Sequence, residues 1–349
     1  MRTIVLTGGG TAGHCTPNVA LLPYLKEHFD KIYYIGSESG IEKDIIKKTS
    51  IPYYSTNCVK LERNKLVSNL KIPFILLKGI KKSTEILKKL KPNVIFSKGG
   101  YVAVPTIIAG KKLGIPVISH ESDYTLGLAN KITSRYCKIV LTSFEDTSKS
   151  LKNGLHVGPP LRKELFNVDK SIALNFFKFS GLKPILLITG GSQGAKAINE
   201  AIREILPDLL KTFDIIHICG KNNCDNSRKE KGYIQLEYLD KIEYAFKACD
   251  VCVTRAGSNT LFELLSLRKP CLVIPLPKGA SRGDQVLNAN YFNKRKLINL
   301  LLQEDITSNN LLKQIINTYN DRNRLLVNLN KNPIKNSCEK ICEIILNNC

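Results

Sequence analysis

The sequence has no run approaching ~18 consecutive apolar residues, which excludes a membrane-spanning helix on length. It is short of acidic charge: 30 Asp+Glu stand against 52 Lys+Arg, a formal net charge of +22. Such a surface attracts anions, whether nucleic acid, anionic lipid or phosphorylated ligands. AT-biased coding also produces Lys-, Ile- and Asn-rich chains, so the excess alone assigns no function. Basic tails and Arg-rich stretches with interleaved aromatics are missing, which argues against a nucleic-acid partner. The opening MRTIVLTGGG goes straight into a strand pattern, which predicts no secretory leader and a cytosolic chain. Reduced thiols are then expected for its 11 cysteines. Cys249 and Cys252 form a C-x-x-C, but no second pair lies nearby and structural zinc takes four ligands. Plain buried thiols are expected there.

What is present points to two α/β domains. At ~100–200 residues per domain, 349 residues suggest two, and 43% hydrophobic content can fill both cores. Short apolar runs read as strands at Thr3–Thr7, Lys31–Ile35, Val94–Phe96, Val117–Ser119 and Ile139–Leu141. The pattern restarts after Pro184 with Ile185–Thr189, Ile215–Ile218, Val251–Val253 and Cys271–Ile274. Continuous apolar strands alternating with helical patterns indicate parallel sheets covered on both faces. The expected architecture is therefore α/β, with two Rossmann-like parallel-sheet domains facing a central cleft. The paired prolines of Gly158-Pro-Pro160 mark the start of a linker. The expected boundaries are 1–162, 163–331 and a helical tail over 332–349 that could pack back on the N-terminal domain.

Each half carries a glycine loop between its first strand and first helix. Gly8 to Gly13 fits G-x-G-x-x-G, whose glycines let backbone N–H groups approach phosphate at a helix N-terminus. A dinucleotide dehydrogenase would add an acidic residue at the end of strand two, and Glu38 is a passable candidate. The second loop, Gly190-Gly-Ser-Gln-Gly194, lacks that spacing but offers an N–H nest and a hydroxyl suited to one diphosphate. Neither loop is followed by a Lys-Ser/Thr pair, so neither is a Walker P-loop. After Val251–Val253 comes Thr254-Arg-Ala-Gly-Ser-Asn-Thr-Leu-Phe-Glu263. Small polar residues open a helix there, and Glu263, one turn in, could accept hydrogen bonds from two vicinal ribose hydroxyls or merely balance the helix dipole.

Taken with Ser97-Lys-Gly-Gly-Tyr101, His120-Glu-Ser-Asp123, Gly158-Pro-Pro-Leu-Arg162 and Ser281-Arg-Gly-Asp-Gln285, these segments resemble the MurG family in order and spacing. That family comprises the peptidoglycan N-acetylglucosaminyltransferases, and the resemblance runs from residue 1 to about 300. It implies the GT-B fold. It implies inverting transfer of N-acetylglucosamine from UDP-N-acetylglucosamine to the C4 hydroxyl of the muramic acid of lipid I, giving lipid II and UDP for cell-wall synthesis. Carried over residue by residue, Thr11, Ala12 and Gly13 line the donor and acceptor site. Arg162 contacts the donor, Ser192 the diphosphate, the Leu239 backbone the uracil, Glu263 the ribose and Gln285 the sugar hydroxyls. Gly191, Gly257, Ser258, Asp284 and Asp123 join them as lesser contacts; Asp284, Asp123 and Ala12 stand where some or many relatives carry another residue. His14 is the candidate general base, with His120 beside Glu121 as the alternative, because an imidazole titrates near neutrality. His28, His156 and His217 read as structural. No D-x-D lies where a metal would bridge a diphosphate, so neither metal nor other cofactor is expected.

A lipid acceptor brings the membrane surface into play. Leu66 to Lys82 mixes large apolar residues with lysines, and Phe74, Leu77, Lys78, Ile80 and Lys81 are the expected contacts with anionic lipid. The same stretch also reads as an ordinary amphipathic helix packed on a sheet. The expected location is peripheral, on the cytoplasmic face of the cell membrane. Three other readings stay open on sequence: a dehydrogenase, a related GT-B enzyme or epimerase with another acceptor, and a basic nucleic-acid binder.

Overall fold

A computed structural model describes residues 1–60, 71–191, 194–277, 279 and 283–349. They divide into two compact units, residues 1–162 with 336–349 and residues 163–335. The first holds a seven-stranded parallel sheet in the order β3-β2-β1-β4-β5-β6-β7. Its strands are β1 (Thr3–Thr7), β2 (Lys31–Gly36), β3 (Tyr53–Ser55), β4 (Val94–Ser97), β5 (Val117–Glu121), β6 (Ile139–Thr142) and β7 (Gly154–His156). Described helices are α1 (Thr16–Lys26), α2 (Ile41–Lys47), α3 (Ile72–Leu90), α4 (Val104–Lys112), α5 (Leu128–Thr133) and α6 (Glu145–Lys149).

The strand sequences explain the layering. Ile4 and Leu6 point to one face and Val5 to the other, and all three are fully buried. The first face packs under α1 through Leu21 and Leu25. The second packs under α3 and α4 through Ile80, Leu87 and Ile107.

The second unit repeats the plan with six parallel strands in the order β10-β9-β8-β11-β12-β13. These are β8 (Ile185–Thr189), β9 (Asp214–Ile218), β10 (Tyr233–Leu236), β11 (Val251–Thr254), β12 (Cys271–Val273) and β13 (Asn299–Leu300). Its described helices are α7 (Lys170–Phe176), α8 (Lys196–Glu204), α9 (Leu206–Thr212), α10 (Ile242–Ala248), α11 (Ser258–Ser266), α12 (Asp284–Lys294), α13 (Ser308–Asn320) and α14 (Arg322–Lys331). In each unit the strand order reverses beside the first strand, between β1 and β4 and between β8 and β11. Loops at the carboxyl ends on either side of such a reversal diverge and leave a crevice for ligands.

The tail completes the first unit. Helix α15 (Cys338–Leu346) buries Ile341 and Ile345 completely against the α1 face. Asn336 stitches it on by exchanging hydrogen bonds with both backbone groups of Leu161, at 3.0 and 2.9 Å.

Helix α3 corrects one expectation about the membrane contact. Phe74 and Leu77 are 72% and 61% exposed, and Lys78 and Lys81 are exposed beside them. Ile80 is only 9% exposed and belongs to the sheet-covering core. At ~100° per residue, Ile80 lies about 120° around the helix from Phe74, which turns it inward. No helix among the described residues is long and apolar enough to cross a membrane.

Candidate active site

The first glycine loop leaves β1 at the reversal point and closes in a short 3₁₀ turn, Ala12–His14, before α1. Thr11 is exposed, while Ala12, Gly13 and His14 are half-buried. The Thr11 hydroxyl lies 3.0 Å from His14 Nδ1. In the tautomer that donates Nδ1–H to Thr11, the proton-accepting lone pair is on Nε2. The facing loop after β4 confines the ring: a side chain at Gly100, which has a left-handed φ of 81°, would strike the Gly9 carbonyl and come within 3.2 Å of His14 Nδ1.

This loop is not built for a dinucleotide. Glu42 of α2, with no exposed surface, accepts the Gly10 N–H at 3.1 Å and the Ser37 N–H at 3.0 Å, as well as the Ser37 hydroxyl. The loop therefore spends one amide on its own protein, where a pyrophosphate would need it. Glu38, the expected ribose ligand of a dehydrogenase, is exposed, and its carbonyl accepts from Lys43.

The alternative base is corrected by its burial. His120 has no exposed surface. Its Nε2–H donates to the Gly158 carbonyl at 3.1 Å, and its Nδ1 accepts from the Lys98 ammonium. Burial and the neighbouring Lys98 charge hold the imidazole well below its ordinary range, so it stays neutral with both nitrogens engaged. A base must reach a substrate hydroxyl, and this ring cannot. Next to it, Glu121 is buried and accepts from Asp123 N, Gly127 N and Asn130 Nδ2 at 3.0, 3.0 and 2.8 Å. Asp123 is half-buried on that turn.

In the second unit the corresponding loops follow β8 and β11. Gly191 takes a left-handed φ of 85°, and among the described residues nothing stands within 4 Å of where its side chain would be. Gly194 N–H returns to the Gly191 carbonyl at 3.0 Å, closing the turn into α8. Ser192, the expected diphosphate contact, lies outside the described residues, as do Ser281 and Arg282. Across the reversal, Gly257 caps α11, Ser258 is buried at its first position, and Glu263 is half-buried further along. Arg255 beneath them is 7% exposed and donates to the Ile274 and Pro275 carbonyls at 3.2 Å and to Gln303 at 2.6 Å.

Gln285 sits in the first turn of α12, next to Asp284, and its Oε1 accepts from Ala256 N and Leu276 N at 3.3 and 3.0 Å. It ties the loop after β11 to the loop after β12. Leu239 is half-buried just after β10. Arg162, also half-buried, ends the first segment of the other unit.

The buried Glu42, Lys98 and Arg255 carried no role in the sequence reading. Lys98 and Arg255 stood inside quoted motifs, and a charged residue closing a strand was the available signal. His217 is buried between Tyr233 OH and Asn199 Oδ1 at 2.8 and 3.0 Å. Cys249 and Cys252 are buried thiols, with Cys249 pushed up to about 12 by burial. Among the described residues, no three His, Cys, Asp or Glu side chains gather as a metal site requires.

Comparison with known proteins decides the family. The glycosyltransferase family 28 N-terminal domain model matches residues 4–142, and the family 28 C-terminal domain model matches residues 185–344. A Lachnospira eligens protein named UDP-N-acetylglucosamine–N-acetylmuramyl-(pentapeptide) pyrophosphoryl-undecaprenol N-acetylglucosamine transferase is 45% identical over 100% of this chain and 99% of its own. The chain belongs to this transferase family, the MurG family. A Bacillus anthracis MurG-family relative, the transferase numbered 2 under the same name, is 49% identical over 90% of this chain and 91% of its own. The crystal structure of Acinetobacter baumannii MurG matches with a TM-score of 0.77 at 24% identity, covering 99% of this chain and all of that one. The kitacinnamycin glycotransferase structure also reaches 0.77, at 13% identity over 99% and 98% of the two chains. The fold is thus the two-Rossmann-domain GT-B fold of MurG and its structural neighbours.

Proposed function

We propose that the chain transfers N-acetylglucosamine from UDP-N-acetylglucosamine to the C4 hydroxyl of the muramic acid of lipid I, with inversion, giving lipid II and UDP. The observation that carries this reading is helix α11. Its N-terminus opens at the reversal point and a carboxylate follows one turn in, the two groups that a nucleoside diphosphate requires. The names of the 45–49% identical relatives supply the sugar and the acceptor. Residues 163–331 then serve as the donor domain, with Glu263 on the ribose, Leu239 at the uracil, Gln285 at the sugar and Ser192, Gly191, Gly257 and Ser258 around the diphosphate. Residues 1–162, with the tail helix, serve the acceptor.

His14 Nε2 takes the proton from the acceptor hydroxyl as that oxygen attacks the anomeric carbon. The carbon–oxygen bond to the diphosphate breaks on the opposite face, and UDP leaves with the electron pair. The N–H groups at the starts of α8 and α11 receive that charge, so the chemistry asks for no cofactor.

The test is UDP release from UDP-N-acetylglucosamine with and without a lipid I analogue. Release that depends on the acceptor is expected; indifference to the acceptor, or tight NAD binding in its place, overturns the reading. Glu263→Ala is expected to raise the KM for UDP-N-acetylglucosamine by about 10- to 100-fold, because charged hydrogen bonds are worth about 1.5–3 kcal/mol. An unchanged KM removes Glu263 from the donor site.

The start of α3 is the proposed contact with the cytoplasmic face of the membrane, through Phe74 and Leu77 flanked by Lys78 and Lys81. Each lysine near anionic lipid contributes about 1 kcal/mol, and each buried apolar side chain about 1.5–3 kcal/mol. A Phe74→Ser/Leu77→Ser variant, with the inward Ile80 untouched, is expected to lose about 100-fold or more in binding to phosphatidylglycerol vesicles. Sedimentation equal to that of the unmodified chain rules this surface out.

A further inference from the structure

We propose that Lys98 is a positioning residue for this transfer: its buried side chain locks the turn after β5 against the glycine loop that confines His14. The inference rests on the transferase reading above.

Lys98 follows β4 directly, at the reversal point of the first sheet, and is 2% exposed. Its ammonium donates to Ser122 Oγ at 2.5 Å and to His120 Nδ1 at 2.5 Å. His120 passes the constraint on through Nε2–H to the Gly158 carbonyl, which also accepts from Ser337 Oγ of the tail at 3.0 Å. One side chain thus joins the ends of β4 and β5, the segment after β7 and the start of α15.

Its backbone works in the other direction. Lys98 N donates to the Thr7 carbonyl at 2.9 Å, and the next residue, Gly99, accepts from Gly9 N at 3.3 Å. At Gly100, which follows, an added side chain would come within 3.2 Å of His14 Nδ1. The loop beside His14 therefore starts at the residue whose ammonium holds Ser122 and His120.

A methionine would fill this space without the cost of burying a charge, which runs to several kcal/mol per ion. Glu121, Asp123 and then Cys338 of the tail favour the ammonium, and His120, with His156 beyond it, faces it as a neutral ring. Burial outweighs the carboxylates and brings Lys98 down to about 7. The charge-assisted bonds to Ser122 and His120 hold below that pH and weaken above it as the proton leaves. Turnover then carries a descending limb above neutrality that belongs to Lys98.

The experiment measures kcat and the KM for UDP-N-acetylglucosamine from pH 6 to 9 for the unmodified protein, Lys98→Met and Ser122→Ala, alongside thermal unfolding. Lys98→Met is expected to lower kcat by about 10- to 100-fold, the cost of a misplaced reacting group, and to abolish the descending limb. Its KM for the donor stays within about threefold, because the proposed ribose, uracil and diphosphate contacts lie in the other unit. Ser122→Ala lowers kcat less and shifts the limb. If Lys98→Met does not fold, the Ser122→Ala limb decides alone. An active unmodified protein whose variants keep the limb, or lose kcat only in proportion to folded protein, overturns the inference. A protein without acceptor-dependent transfer overturns the transferase reading beneath it.

Discussion

Replacing His14 with alanine is expected to lower kcat by about 10²–10⁴-fold, the usual contribution of a positioned general base, with little change in the KM for UDP-N-acetylglucosamine. The ring ends a 3₁₀ turn, and where the Thr11 hydroxyl at 3.0 Å accepts from Nδ1–H the lone pair is on Nε2. A side chain at Gly100 would come within 3.2 Å of the ring, so the glycine keeps that side open to it. A kcat within threefold of the unmodified protein would sink the base role and leave positioning and charge stabilisation of UDP as the whole of catalysis. Thr11→Val separates the tautomer argument from the ring itself. It keeps His14 but removes the hydroxyl, so a clear fall in kcat is expected.

The fold was legible because parallel strands covered on both faces must be apolar throughout, and runs such as Ile185–Thr189 have no other use. The glycine loops were legible as phosphate-suited turns, but not in their partners. Gly8 to Gly13 reads as a dinucleotide fingerprint until Glu42 is seen to hold Gly10 N–H. That bond spans 32 residues and depends on the β1–β2 pairing, which carries α2 to the loop. Glu38, four residues earlier, satisfied the spacing rule and points to solvent. Lys98 and His120 were hidden for the same reason, since their bond joins the ends of strands paired only in the folded sheet. Ile80 failed by a different route. Counting Phe74, Leu77 and Ile80 at intervals of three drifts about 120° around a helix with 3.6 residues per turn.

Glu42→Ala is expected to destabilise the first unit by about 3–5 kcal/mol and to slow turnover beyond the loss of folded protein. The side chain is fully buried, and its removal leaves the N–H groups of Gly10 and Ser37 and the Ser37 hydroxyl without their acceptor. Each orphaned buried donor costs about 1–3 kcal/mol. For a unit of this size the melting temperature should fall by roughly 10 °C. Glu42→Gln should fall between, because its carbonyl still accepts while its NH₂ end meets a second donor. The effect on turnover follows from Gly10 standing one residue before Thr11, so a loosened amide lets the His14 turn drift. A double-mutant cycle reads this directly. If Glu42 acts through His14, Glu42→Ala costs little further kcat once His14 is alanine. Full additivity would show that Glu42 supports the reaction by another route, and a melting temperature within about 2 °C of the unmodified protein would show that the loop does not depend on it.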